Sequence, residues 1–552
     1  MTERLAAFLK SSRPFLLFTV VFSVLVAFVF WGTWSLDVAP VMPDNVIVHS
    51  MAYSDTVAAI VRKFFEQGKL IPSDILWDGL LFSPYFCQEL KYAVALYCAG
   101  LGLAYFLLGR GLKPLAAYGA GLLLAFCGYW ASLFSAGHGG WFEWMTYGVF
   151  AFGLADRAVR LGRLHHGLLL GACVAWGSFY QPDLWLLFTA FTGLYFIWCC
   201  VRERTFPWKV MLVAAVAFFA IGAPSFRHAL VNDLAGRDSQ IAAGETLSPK
   251  DAAKGDTDEA RWIFVTNWSL PANEVAEFVV PRLNGDTSCP LTLSLARRAG
   301  KSTQPYTGAL GRPKDAPSGN YRQHSLYVGI ITCLLALVGV SFNLKRREVW
   351  FFALAAVVFT LFSLGRFCEP VYRLVYALPF GDYLRAPVKW HHVTELSLCV
   401  LAGYGLAALM ELKFMQNQVA TLALCAVVFL GAFDCARIDS LYCAPVNLRR
   451  ARATNSDMRL TVLPRTEFAR PEVAAWVREG RVVSLANYMG HPDYFLVGIL
   501  SPRHPNKEPL PPFTTATALG ILSLLSSLAV IILAARSVSR THAADVANIA
   551  RR

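Results

Sequence analysis

Charge is what this sequence has least of. Asp, Glu, Lys and Arg make up 16% of its residues, against roughly 25% in soluble globular chains. That shortage excludes a soluble multidomain enzyme. With 56% of the side chains hydrophobic, a disordered chain is excluded too, because disorder needs the opposite balance. Among the 13 cysteines there is no C-x-x-C pair, which removes the usual framework of a structural zinc. Most of the cysteines fall inside apolar runs, where they act as small hydrophobes. Cys435 and Cys443 stand close enough in sequence to form a disulfide. No fixed-period repeat is visible. No A-x-A cleavage site follows the first apolar run, whose core exceeds that of a secretory leader, so it reads as a retained span.

What the chain does have is apolar runs. Twelve are near the ~20 residues needed to cross a bilayer as helix: about 14–35, 90–109, 114–135, 141–156, 164–180, 183–201, 208–226, 325–343, 349–365, 388–410, 418–434 and 514–535. The expectation is an all-α polytopic membrane protein of about twelve transmembrane helices. Its net charge of +13 would suggest nucleic acid in a soluble chain. Here the basic residues collect in short connections: Arg110 and Lys113; Arg157, Arg160 and Arg163; Arg202, Arg204 and Lys209; Lys345, Arg346 and Arg347; and Lys413. By the positive-inside rule these connections and both termini are cytoplasmic, and the charge sets orientation without implying nucleic acid.

The longer segments then face outward: 36–89, 227–324 and 435–513, with a shorter one at 366–387. The organisation expected is an N-terminal membrane module (1–226), a large external loop (227–324), further spans (325–434), an external segment (435–513) and a last span with a basic tail (514–552). Long loops are uncommon unless functional, so chemistry belongs on the external face. Within the first loop, Val57, Ile60, Val61, Phe64 and Phe65 recur at helical spacing and predict an interfacial amphipathic helix over 53–65. The stretch 370–384 predicts a second interfacial or re-entrant piece.

Ionisable residues near hydrocarbon are costly, which makes them functional candidates. Five places at external span ends qualify: Asp37 and Asp44; His138 and Glu143; Gln181 and Asp183; Asn267 to Glu274; and Arg385 with Lys389. Each also has a plainer reading. Asp44 could be a turn residue after Pro43, and His138 among glycines a loop turn. Asp183 could cap a helix, and Arg385 and Lys389 could snorkel to the interface. Asn267-Trp-Ser is formally a glycosylation sequon. Gly153-Leu-Ala-Asp156-Arg157, with Arg160 and Arg163 beyond, has the residue types of a major-facilitator loop but the wrong spacing and position. The non-repeating layout also speaks against transporter halves related by symmetry.

An ordered series of stretches resembles the YfhO-like bacterial membrane proteins of the GT-C superfamily of polyprenyl-phosphate-dependent glycosyltransferases. It runs from Pro43-Asp44-Asn45 through Ser135-Ala-Gly137-His138, Gln181-Pro-Asp183 and the stretch Trp268 to Pro281. It continues with Tyr327-Val-Gly329, Leu364-Gly365-Arg366, Pro370 to Pro379, and Arg385-Ala-Pro387-Val-Lys389. The resemblance covers about residues 14–410 and departs where Gly139-Gly140-Trp141 replaces a basic residue found in many relatives. It implies a GT-C-like fold in a bacterial inner membrane. The activity implied is transfer of a sugar from a polyprenyl-phosphate donor to an envelope glycan, lipid or protein acceptor at the external or periplasmic face. Asp44 matches the first-loop acidic residue that serves as base. Arg385 and Lys389 would meet the charge of the leaving phosphate. His138, Gln181, Asp183 and Glu274 would hold sugar or phosphate. Asp37, Asp44 and Asp55 could contribute to a divalent metal site, although their spacing is not diagnostic. A lipid or polysaccharide transporter and a catalytically silent envelope scaffold are the alternatives.

Overall fold

A computed structural model describes residues 2–33, 38–40, 47–48, 53–69, 84–128, 130–136, 144–180, 182–228, 230, 261–263, 265–281, 283, 326–378, 381, 384–413, 417–440, 445–447, 453–454, 456–487, 494–502 and 511–551. The first half contributes α1 (Thr2–Val29), α2 (Tyr53–Gln67), α3 (Pro84–Gly109), α4 (Pro114–Phe126), α5 (Trp130–Ala136), α6 (Met145–Leu161), α7 (Leu164–Gly177), α8 (Pro182–Glu203) and α9 (Trp208–His228). The second half contributes α10 (Ile330–Phe342), α11 (Arg347–Ser363), α12 (Glu369–Tyr376), α13 (His391–Glu411), α14 (Gln418–Ser440), α15 (Pro471–Arg478) and α16 (Thr515–Arg551).

This is a multi-pass membrane protein. Among the described residues, six helices are long and apolar enough to cross a bilayer, or seven if the bent pair α11–α12 counts as one. Four shorter apolar helices accompany them. Every one of the apolar runs read from the sequence falls on a helix. Large side chains such as Ile197, Phe219, Leu334, Leu354 and Leu422 are more than half exposed. That outward apolar belt is what a lipid-facing surface requires and what a water-facing one avoids.

Inside the bundle, helices gain little hydrophobic drive from leaving lipid, so close packing has to hold them together. Phe106, Phe152, Tyr195 and Phe352, from α3, α6, α8 and α11, form one buried aromatic knot with ring centroids 4.3–5.8 Å apart. Between α10 and α13 the backbones touch: a Cβ on Gly339 would lie 2.0 Å from the Leu401 carbonyl oxygen, and one on Gly405 2.0 Å from that of Leu335. Only glycine permits that approach.

The short basic connections all meet at one end. Asp156 accepts from Arg110 at 2.9 Å and Arg160 at 2.8 Å, and the Tyr195 hydroxyl donates to it at 3.1 Å. Arg202 bridges to Glu348 at 2.9 Å, and the Lys113 ammonium reaches the Met410 carbonyl at 3.5 Å. α3, α6, α8 and α11 are thereby stapled at their basic ends, and the α3–α4 connection is tied to α13.

The last helix closes the bundle onto its first half. Trp176 of α7 donates its indole N–H to Ser527 of α16 at 3.0 Å, and Val530 packs with Ala172, Phe179 and Ile221. Thr517 donates to the Phe65 carbonyl at the end of α2 at 3.0 Å. The helix foreseen over 53–65 is therefore present as α2, docked against the start of α16.

The helical class stands, with an addition the sequence reading did not contain. Strands β1 (Val38–Pro40), β2 (Ile47–Val48), β3 (Pro445–Asn447), β4 (Ser456–Pro464), β5 (Val482–Asn487) and β6 (Tyr494–Pro502) form two antiparallel sheets, β1-β3 and β2-β4-β6-β5. Each sheet joins the first loop to the segment after α14, so these two segments are one unit. The disulfide that the spacing of Cys435 and Cys443 allowed is not formed: Cys435 is a free thiol buried within α14, donating to the Val328 carbonyl at 3.7 Å. Its partner Cys443 lies outside the described residues.

Candidate functional site

At the end of the bundle opposite the basic connections, stretches far apart in sequence lock together. α13 is preceded by a 3-10 turn, Pro387–Trp390. Ala386, just before that turn, has φ +65°, and so does Trp268. Such values cost a non-glycine residue roughly 1–3 kcal/mol and persist only where the surroundings impose them. Here Ala386 N–H donates to the Val265 carbonyl at 3.1 Å and Val388 N–H to that of Trp268 at 3.2 Å. Leu270 N–H bonds the Ser363 carbonyl at 2.9 Å, and Arg366 N–H bonds the Ser269 hydroxyl at 3.0 Å. The Arg366 guanidinium caps the carbonyls of Ile263 and Thr266 and the side-chain oxygen of Asn267 at 3.2–3.3 Å. Asn267 is thus a buried clamp residue, not an exposed sequon.

The Ala272–Phe278 3-10 turn continues the joint. Glu274 and Glu277 on it are both buried, at 0% and 3% exposure. The Phe278 ring lies 4.3 Å from that of His391, and the Phe278 carbonyl accepts from Val328 N–H at 3.1 Å. The Gly365–Tyr376 stretch turns away from α11 by 113°. This is the re-entrant or interfacial piece expected near 370–384. It holds Tyr372, whose hydroxyl donates to the Leu384 carbonyl at 3.3 Å.

Beneath the joint lies an ionisable cluster that was not foreseen. Glu395, one turn into α13, is held by His392 Nδ1 at 2.9 Å and lies 3.4 Å from His391 Nε2. All three side chains are at most 3% exposed. Asp439 of α14, also buried, acts electrostatically on the same carboxylate. Room for Glu395 comes from Gly128: a Cβ there would fall 1.4 Å from a carboxylate oxygen. Gly128 has φ +91° and donates its N–H to the Tyr327 carbonyl at 2.8 Å. It ends α4 inside the bundle, and Gly329, at φ +102°, starts α10 nearby. Irregular backbone at membrane depth is tolerated where protein or a cavity surrounds it.

The seven expected site residues fare differently. Glu274, Arg385 and Lys389 belong to the joint. Lys389 is 4% exposed, too deep for the snorkelling reading, while Arg385 is half-buried. Asp183 stands in the first turn of α8, where a carboxylate suits the helix dipole; its side chain lies outside the described residues, as do Asp44, His138 and Gln181. Among the described residues no group of three His, Cys, Asp or Glu is arranged to hold a metal ion. The signal for Glu395 was in the sequence: His391, His392 and Glu395 open a largely apolar run, and intramembrane ionisable residues are functional candidates.

A His-oriented, buried carboxylate can take up or release a proton, and the buried Lys389 of the joint above it is a cation that can meet an anionic group. No family model, curated protein or solved structure matches this chain.

Proposed function

We propose that this chain is a GT-C-type glycosyltransferase that moves one sugar from a polyprenyl-phosphate donor to an acceptor at the outer face of a bacterial cytoplasmic membrane. The observation that carries the reading is the joint itself. The stretches around 262–281, 326–329, 364–366 and 385–395 close on one another around buried carboxylates and cations, at the end away from the basic connections. The positive-inside rule then sets that end outside, with twelve spans and both termini cytoplasmic.

In the proposed reaction Asp44 accepts the proton of an acceptor hydroxyl as its oxygen bonds to the anomeric carbon. The bond from that carbon to the donor phosphate oxygen breaks, and the polyprenyl phosphate leaves with the electron pair. Arg385 and Lys389 meet its charge. A single displacement inverts the anomeric centre. His138, Gln181, Asp183 and Glu274 hold sugar or phosphate.

One observation favours transport instead: α4 and α10 both break near Glu395, and discontinuous helices often build substrate sites in transporters. The purified protein in liposomes, given a panel of radiolabelled undecaprenyl-phosphate sugars and envelope acceptors, separates the readings. Transfer is expected from wild type and, with the base removed, a loss of about 10²-fold or more in Asp44→Asn. Movement of intact lipid-linked sugar across the bilayer without transfer would replace the enzyme reading by a transporter. Neither activity across the whole panel would leave the scaffold.

A further inference from the structure

Far from this joint, α1, α4, α13 and α14 enclose an apolar groove of about 260 Å³. Its wall runs from Pro14 to Val21 along α1 and is completed by Tyr118, Leu406, Cys425 and Phe429. Seven residues of helix at 1.5 Å each make it roughly 10 Å long, a slot for a hydrocarbon chain lying along the helices. Its lining offers almost no polar group.

The mouth of the groove is different. Pro14 lines it, and Arg13 precedes Pro14; Met410 lines it, and the Lys113 ammonium lies 3.5 Å from the Met410 carbonyl. Arg13 and Lys113 are both exposed, and neither forms an ion pair among the described residues. Lys413 follows just beyond the end of α13. An apolar slot with cations at its basic-end mouth matches one bilayer component: a lipid whose acyl chain enters the slot and whose headgroup carries net negative charge.

We propose that this groove is a binding site for an anionic phospholipid, its tail between α1 and α14 and its phosphate on Arg13 and Lys113. The site is independent of the sugar-transfer reading, since it shares no residue with the joint.

The probes are tail-diazirine phosphatidylglycerol and tail-diazirine phosphatidylcholine, photolysed with the full-length protein in nanodiscs, with cross-linked peptides mapped and retained lipid counted by native mass spectrometry. Phosphatidylglycerol should label the groove helices in preference to phosphatidylcholine. Arg13→Gln with Lys113→Gln should erase that preference, at about fivefold per cation. Ala426→Trp, placed at an exposed lining position, should block tail labelling for both lipids with elution and melting unchanged. Equal labelling by the two lipids in wild type, or labelling spread over all lipid-facing helices and insensitive to Ala426→Trp, would overturn the proposal.

Discussion

The two ends of the bundle bury charge in opposite ways. At the basic end Asp156 is surrounded by Arg110, Arg160 and the Tyr195 hydroxyl, so its charge is answered from several helices at once. At the other end Glu395 meets two histidines, whose charge depends on protonation, and shares its surroundings with the carboxylate of Asp439. The first arrangement sets a carboxylate against permanent cations and acts as a staple. The second sets a carboxylate against imidazoles, the residue types that serve in general acid–base chemistry. Burial of charge is therefore not by itself a functional signal; the balance of the partners is.

The largest effect should come from breaking the staple. Asp156→Asn would leave Arg110 and Arg160 inadequately paired, a loss of roughly 3–5 kcal/mol expected as collapse of detergent-solubilised yield and melting temperature. If Asp156→Asn melts like wild type, the staple reading is wrong. Next is Gly128→Ala, which puts a methyl group onto Glu395 at a left-handed backbone position. A cost of about 2–4 kcal/mol follows from strain and overpacking, visible in the same melts. Glu395→Gln should sharpen the contrast, shifting stability by only about 1 kcal/mol, read in the same melts. A loss as large as that of Asp156→Asn would make the His391–His392–Glu395 cluster a second staple. The smallest effect is Ala386→Gly, which relieves the φ +65° strain and should stabilise by about 0.5 kcal/mol, read as a small rise in the melting midpoint.

The helices were legible because lipid demands long apolar runs, and α2 because its apolar residues recur at helical spacing. The sheet was not. Its β2 has two residues and pairs with β4 across some four hundred positions of chain, and no local pattern announces a partner that distant. The site was half legible. Lys389 and Glu274 stood out as charges at span ends. Glu395 was overlooked because the apolar residues around it make its run read as an ordinary span. The Asp156 stretch was set aside as a transport motif, and its stapling role depends on Arg110 and Tyr195, which the sequence does not connect to it.

The docking of α16 across α7, α9 and α2 has a consequence for biogenesis. The partners of Ser527 and Val530 are synthesised hundreds of residues earlier and must wait in the membrane, one face uncovered, until residue 530 emerges from the ribosome. Truncations ending before residue 515 should therefore leave an assembly that membrane proteases clear. Pulse-chase of such truncations, with and without α16 supplied as a separate chain, would show whether a late clasp decides the survival of the whole molecule.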